Sequence, residues 1–199
     1  MRKLLVLGLA LLMTLGLAGF AGATVLDFEG LSSYSEIDEG YGGLNWSNFY
    51  ILDAVNYYSN PSGYYNGLVS GSNVAYNAGG DIASISTGTF DFNGAYLTAA
   101  WNDDLSIDVL GYNNGNLLYS TTVVVDTDGP TWFAFNYLGI DQVVFNSYGG
   151  VNHGYNGGGT HFAMDDFTFN AQAVPIPGAV WLLGSGLVGL IGLRRKLQA

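Results

Sequence analysis

Nowhere between Thr24 and Gln172 do apolar residues recur with a 3.6-residue period over good helix formers, and Lys and Arg are absent from that stretch. What fills it is Gly, Asn, Ser, Thr and Tyr, with β-branched and aromatic residues gathered in short runs. Such runs fit a pleated, half-buried surface, and the small polar residues between them supply turns. Leu105, Ile107 and Val109 alternate with Ser106, Asp108 and Leu110, as a half-buried strand requires. Asn114-Gly115 tolerates positive φ, and the chain returns through Leu117 to Val125, which predicts an antiparallel hairpin. Asp126-Thr127-Asp128-Gly129-Pro130 is a second turn. Beyond it, strands are predicted over Trp132–Tyr137, Gln142–Ser147 and Phe162–Phe169, with Gly139-Ile140-Asp141 as a break. Phe90–Trp101 and Val25–Phe28 complete the set. Tyr34 to Gly80 reads as long loops with short strands, and Gly149 to Gly159 as a glycine-rich loop. The fold class expected is all-β, a β-sandwich or jelly roll. A domain of this length buries enough core to hold together without disulfides, and the chain has no cysteine.

The two ends read differently. All five basic residues lie there, Arg2 and Lys3 at one and Arg194, Arg195 and Lys196 at the other, whereas all 16 acidic residues lie between. Arg2-Lys3, the apolar run Leu4–Phe20 and the small residues Ala21-Gly22-Ala23 form the three parts of a secretory signal, predicting a signal peptide over 1–23. The rival is a retained anchor, which asks for about 20 apolar residues, more than this run supplies. At the other end, Val174-Pro175-Ile176-Pro177 leads into an uncharged run from Gly178 to Leu193 and then the basic cluster. As a helix at ~1.5 Å per residue that run covers about 24 Å, enough for one transmembrane span if the prolines or local thinning close the gap. The basic cluster would stay cytoplasmic and the acidic middle would be exported. Three segments follow: 1–23, a β-sandwich cargo over 24–172, and a sorting tail over 173–199.

That tail resembles the PEP-CTERM sorting signal. The residues that carry the likeness are Val174-Pro175-Ile176-Pro177, Trp181-Leu182-Leu183-Gly184-Ser185-Gly186-Leu187 and Gly189 through Leu193 with Arg194-Arg195-Lys196. Ile176 stands where the family name has Glu. The resemblance implies a substrate of exosortase, a membrane transpeptidase of Gram-negative bacteria, after signal peptidase has acted at the other end. It also implies a link to biofilm and extracellular polysaccharide, with transient inner-membrane anchoring before release to the surface or matrix. The cargo is similar, more diffusely, to galactose-binding-like jelly rolls of secreted bacterial proteins. That likeness rests on Leu26-Asp27-Phe28-Glu29, Phe92-Asn93-Gly94-Ala95-Tyr96-Leu97 and Phe162-Ala163-Met164-Asp165-Asp166-Phe167, and implies carbohydrate contact.

The catalytic inventory of the cargo is thin. The histidines are His153 and His161, and there is neither a nucleophile elbow nor a phosphate loop. A glycosidase-type carboxylate pair stays open, because its spacing is a property of the fold. A secreted glycan-acting enzyme, glycoside hydrolase or lyase, is therefore the alternative to a binding or structural module. Nucleic acid is disfavoured by a segment with 16 acids and no permanent cation. Asp27 and Glu29 near the start and Asp165 and Asp166 in the last strand are candidate metal ligands, because neighbouring first and last strands would bring uncompensated carboxylates together. Calcium, which takes six to eight oxygens in loose geometry, is the ion expected. Tyr57, Tyr58, Tyr64, Tyr65 and Trp101 are the candidate sugar-binding residues, since an aromatic face packs on a sugar ring. Against them stands the ordinary role of such rings in a β-domain core.

Overall fold

The computed structural model describes residues 22–170. Most of the predicted signal peptide therefore lies outside the described residues. So does the whole sorting motif of Val174, Pro175, Ile176, Pro177, Arg194, Arg195 and Lys196 with its transmembrane run.

Nine strands carry the described domain: β1 Thr24–Leu26, β2 Asn45–Ser47, β3 Phe49–Asp53, β4 Asn73–Asn77, β5 Ala83–Ala99, β6 Asn102–Asn113, β7 Asn116–Val125, β8 Thr131–Asn152 and β9 Phe162–Phe169. One short helix, α1 Gly63–Asn66, interrupts them. The hydrogen-bonded path is β3-β4-β9-β5-β8-β6-β7, with β1 added to β9 and β2 to β5. Every pairing is antiparallel.

Two strands serve both layers of a sandwich. The C-terminal part of β5 pairs with β9 and with the first half of β8, from Phe92↔Phe169 to Leu97↔Thr131. Its N-terminal residues Ala83–Ser86 pair instead with Phe145–Gln142, in the half of β8 that goes on to pair with β6. Strands pass between layers through bulges. Here β5 shifts register three times between Ser86 and Gly94, and β8 holds Asn136 and Gly139 at φ 52° and 64°. The predicted break at Gly139-Ile140-Asp141 is thus an irregularity within one long strand, pinned by the Gly139 amide donating to Asp91 Oδ1 at 2.8 Å. Likewise β8 runs to Asn152, taking in the first residues of the segment predicted as a glycine-rich loop.

The layers close on aromatic rings. Phe145 of one meets Phe49, Phe162 and Phe92 of the other at centroid distances of 5.7, 5.8 and 6.1 Å. Leu105, Ile107 and Val109, the alternating apolar set of β6, are fully buried against them. The predicted hairpin forms, from Leu105↔Val125 to Asn113↔Asn116, with one register shift between Gly111 and Tyr112. Asn114 and Gly115 at φ 48° and 75° give it the double positive-φ turn that matches strand twist.

A second, smaller core lies beside the first. Leu52, Val74, Tyr64, Ala100, Trp101 and Ala163 pack there, with Tyr57, Leu68, Tyr76 and Tyr155 half-buried against them. It is the floor of the feature described next.

Candidate functional site

An open cleft of about 460 Å³ is walled by residues from seven parts of the chain. Tyr50 and Leu52 face it from β3 and Tyr76 from β4, and the pairing Tyr50↔Tyr76 puts those two rings 6.1 Å apart. Tyr34 arrives on a segment hydrogen-bonded to the outer edge of β3, its amide donating to Ile51 O at 2.7 Å. Tyr57, Tyr58 and Ser59 come from the loop after β3, Tyr64 from α1 and Trp101 from the turn between β5 and β6. Asn156 to Gly158 and His161 close the far side.

Local chemistry fixes the tyrosine loop. Asn60 Nδ2 donates to Ala54 O at 2.9 Å, and Ser62 Oγ donates to Asn60 Oδ1 at 2.8 Å. Ser62 also caps α1, its Oγ accepting from the Tyr65 amide. Gly63 lies so close to β5 that its missing side chain is what allows the contact, and its amide donates to Ala100 O at 2.9 Å. Tyr64 is thereby driven inward to 3% exposure, with Trp101 at 5.4 Å, Tyr76 at 5.5 Å and Tyr57 at 5.6 Å, all near edge-on. Tyr57 in turn supports Tyr58 at 4.9 Å, and Tyr58 stands 82% exposed. The gradient runs from a dry floor to a wet aromatic rim, with Tyr34 at 57% exposure beside Tyr58.

The lining carries no Asp, Glu, Lys or Arg. Burial pushes the hydroxyls of Tyr57, Tyr64 and Tyr76 above their usual range, Tyr64 well above it, and burial pushes the His161 imidazole down. Each shift favours the neutral form, so the cleft is uncharged near neutral pH. His161 Nδ1 is buried without a hydrogen-bond partner.

Of the five aromatic residues predicted for a ligand, Tyr57, Tyr58, Tyr64 and Trp101 meet in this cleft, and Tyr65 does not line it. Successive residues of a helical turn point in different directions, and Tyr65 turns to solvent while Tyr64 turns to the core. Trp101 is 4% exposed, and Gly157 approaches its ring so closely that a Cβ there would stand 2.5 Å from it, so the indole is floor rather than open platform. Tyr34, Tyr50, Tyr76 and His161 were not legible as members, because pairing between distant strands is what assembles them.

The acids of the candidate metal site do come to one region. β1 and β9 lie side by side, Leu26 opposite Phe167, so Asp27 follows where Asp166 precedes. Their oxygens, however, meet amides. Glu29 Oε1 accepts from the Ser72 and Asn73 amides at 2.8 Å each. Buried Asp165 accepts from the Val69, Ser70 and Asp166 amides at 2.8, 3.0 and 2.7 Å. Ser70 Oγ lies 3.3 Å from both Asp165 Oδ1 and Asp166 Oδ1, and Asp27 Oδ1 accepts from the Glu29 amide at 3.2 Å. Among the described residues no three His, Asp or Glu side chains are placed to hold a metal ion. The loop 69–73 supplies much of the compensation that the sequence assigned to calcium.

One other cluster has a catalytic look. Asp103 Oδ2 lies 2.6 Å from His153 Nδ1, and Thr127 Oγ1 donates to Asp103 Oδ1 at 2.7 Å. Thr127 Oγ1 also sits 3.0 Å from the same Nδ1. A nucleophile–base–acid relay needs the hydroxyl on the ring nitrogen opposite the carboxylate. With both partners on Nδ1, the three residues instead tie the loop after β8 to the turn after β7.

The chain matches no protein-family model and no curated protein. Among solved structures it is similar to TmCBM61 in complex with β-1,4-galactotriose, at 14% identity and a TM-score of 0.36, over 71% of this chain and 100% of that one. A superposition of that quality fixes neither a shared topology nor a shared ligand.

Proposed function

We propose that the domain is a glycan-binding module and that the tyrosine-lined cleft is its binding site. One observation carries this reading: six tyrosines and a tryptophan from separate strands and loops converge on one uncharged, open cleft, with the outermost rings left bare. A soluble domain gains nothing in stability from a ring held 82% exposed, as Tyr58 is. A sugar ring presents an axial C–H face to such a platform, and Ser59, Asn156 and the tyrosine hydroxyls are the hydrogen-bonding groups beside it. Nothing lining the cleft is a carboxyl group able to protonate or attack a glycosidic bond, which favours binding over hydrolysis at this place.

We propose that signal peptidase removes residues 1–23, that exosortase processes the tail near Pro175 to Pro177, and that the cargo is released to the cell surface or matrix. There it associates with extracellular polysaccharide.

Titration of Tyr58→Ala against a glycan that the wild-type protein binds tests the site. Loss of one stacking ring weakens binding about tenfold, or about 1.4 kcal/mol, while an exposed position leaves stability within about 0.5 kcal/mol. Unchanged affinity in Tyr58→Ala moves the site elsewhere.

A further inference from the structure

We propose that the cleft selects neutral glycans and turns away polyuronates and other anionic polysaccharides. This rests on the glycan-binding reading above and adds the charge class of the ligand.

Three observations converge on it. The first is the lining, uncharged and without a basic side chain. A carboxylated sugar ring entering the cleft would lose water around its charge and meet no cation in exchange, and an uncompensated buried charge is the costliest group to desolvate. The second is the rim. Asp53 lies near Tyr34, and Asp81 near His161, so carboxylates stand at two edges of the opening. Asp53 is held ionised by Asn56, whose amide donates to Oδ1 at 3.0 Å and whose Nδ2 donates to Oδ2 at 2.8 Å; those bonds keep its carboxyl below the usual range. The third is the whole domain. Residues 24–172 hold all 16 acids of the chain and none of its five bases, so the field at any approach is negative. Clefts walled by low-dielectric rings focus such a field rather than dilute it.

Neutral hexose polymers avoid all three penalties. Their hydroxyls match an inventory of tyrosine hydroxyls, an asparagine amide, a serine and a neutral imidazole, each able to donate or accept. The rim carboxylates then help, as acceptors for sugar hydroxyls in solvent-exposed positions.

The test is a matched panel read by isothermal titration: galactomannan, xyloglucan and mixed-linkage β-glucan against polygalacturonate and alginate. Fully methyl-esterified polygalacturonate serves as the charge-erased partner of the anionic backbone. The expected result is binding to at least one neutral polymer, at least about tenfold weaker binding of every polyuronate, and little change in neutral affinity between about 0.05 and about 0.5 M salt. Asp81→Asn, whose carboxylate makes no hydrogen bond that holds the fold, should narrow the gap by improving whatever residual polyuronate binding is measurable. A polyuronate bound as tightly as the best neutral polymer, with the binding lost in Tyr58→Ala, overturns the charge selection and leaves the glycan site standing. Binding to no member of either set overturns both. A preference for neutral polymers that persists undiminished in Tyr58→Ala also overturns the proposal, because the selecting surface is then not this cleft.

Discussion

Gly63→Ala is the substitution that most sharply links the fold to the cleft. A Cβ built at Gly63 stands 1.7 Å from Ala99 O, 2.8 Å from Ala99 C and 3.0 Å from Ala100 Cα, all backbone atoms. Those atoms cannot drift aside, since the Ala99 amide is tied to Asp126 O at 3.0 Å and the Ala100 amide to His161 O at 3.0 Å. The helical turn Gly63–Asn66 must move instead, breaking the Gly63 amide bond to Ala100 O. Overpacking of a buried position costs about 1–3 kcal/mol, and the lost hydrogen bond about 1 kcal/mol more. Reduced freedom of the unfolded chain returns about 0.4–1 kcal/mol. The net destabilisation expected is therefore about 1–3.5 kcal/mol. Urea unfolding followed by tryptophan fluorescence reads it as a lowered midpoint, with the slope unchanged. Tyr64 rides on the displaced turn, so its contacts with Trp101, Tyr57 and Tyr76 loosen and glycan affinity falls with stability. Gly88→Ala is the control. It has open space around its Cβ and ordinary φ, and should stay within about 0.5 kcal/mol of wild type. A Gly63→Ala protein as stable as the control, with its cleft still binding, would refute the reasoning.

Three further outcomes are expected. Burial outweighs the amide donors at Asp165 and pushes its carboxyl up to about 6 from 3.8. Between those values the folded state keeps a proton the unfolded chain has released, so this residue's contribution to stability is fullest at the acid end and is lost as pH rises to about 6; Asp165→Asn should flatten that part of the pH–stability curve. Gly115→Val, at φ 75° in the hairpin turn, should cost about 1 kcal/mol or more in the same urea assay, because a β-branched residue resists the left-handed region. Because Glu29 and Asp165 already accept from amides, melts in calcium and in chelator should coincide; a calcium-selective rise in Tm that disappears in Asp166→Ala would instead support the metal site expected from the sequence.

What the sequence made legible follows from how local the information is. The β6–β7 hairpin could be read because alternation and an Asn-Gly turn lie within one continuous stretch; the bulge between Gly111 and Tyr112 that offsets its register by one residue left no such local mark. The adjacency of the first and last strands was also readable, and β1 does pair with β9. The fate of the four acids was not, because Glu29 and Asp165 are met by main-chain amides of residues 69–73, which carry no side-chain signature. The tyrosine doublets marked a polar, aromatic loop, yet three further tyrosines of the cleft lie on β3, β4 and the segment before them. Only the β3–β4 pairing and the strap over β3 bring those rings together. Gly139 was misread for a related reason: a positive-φ glycine ends a strand or bends it, and only the strand's partners decide which.

A crystal structure of the protein with a bound neutral oligosaccharide is the most direct test of the glycan-binding reading. The expected result is a sugar ring lying against Tyr58 with Tyr34 at its flank, above the floor formed by Tyr64 and Trp101, and no cation mediating the contact. An oligosaccharide bound on another face of the sandwich, with the tyrosine cleft left vacant, would contradict it.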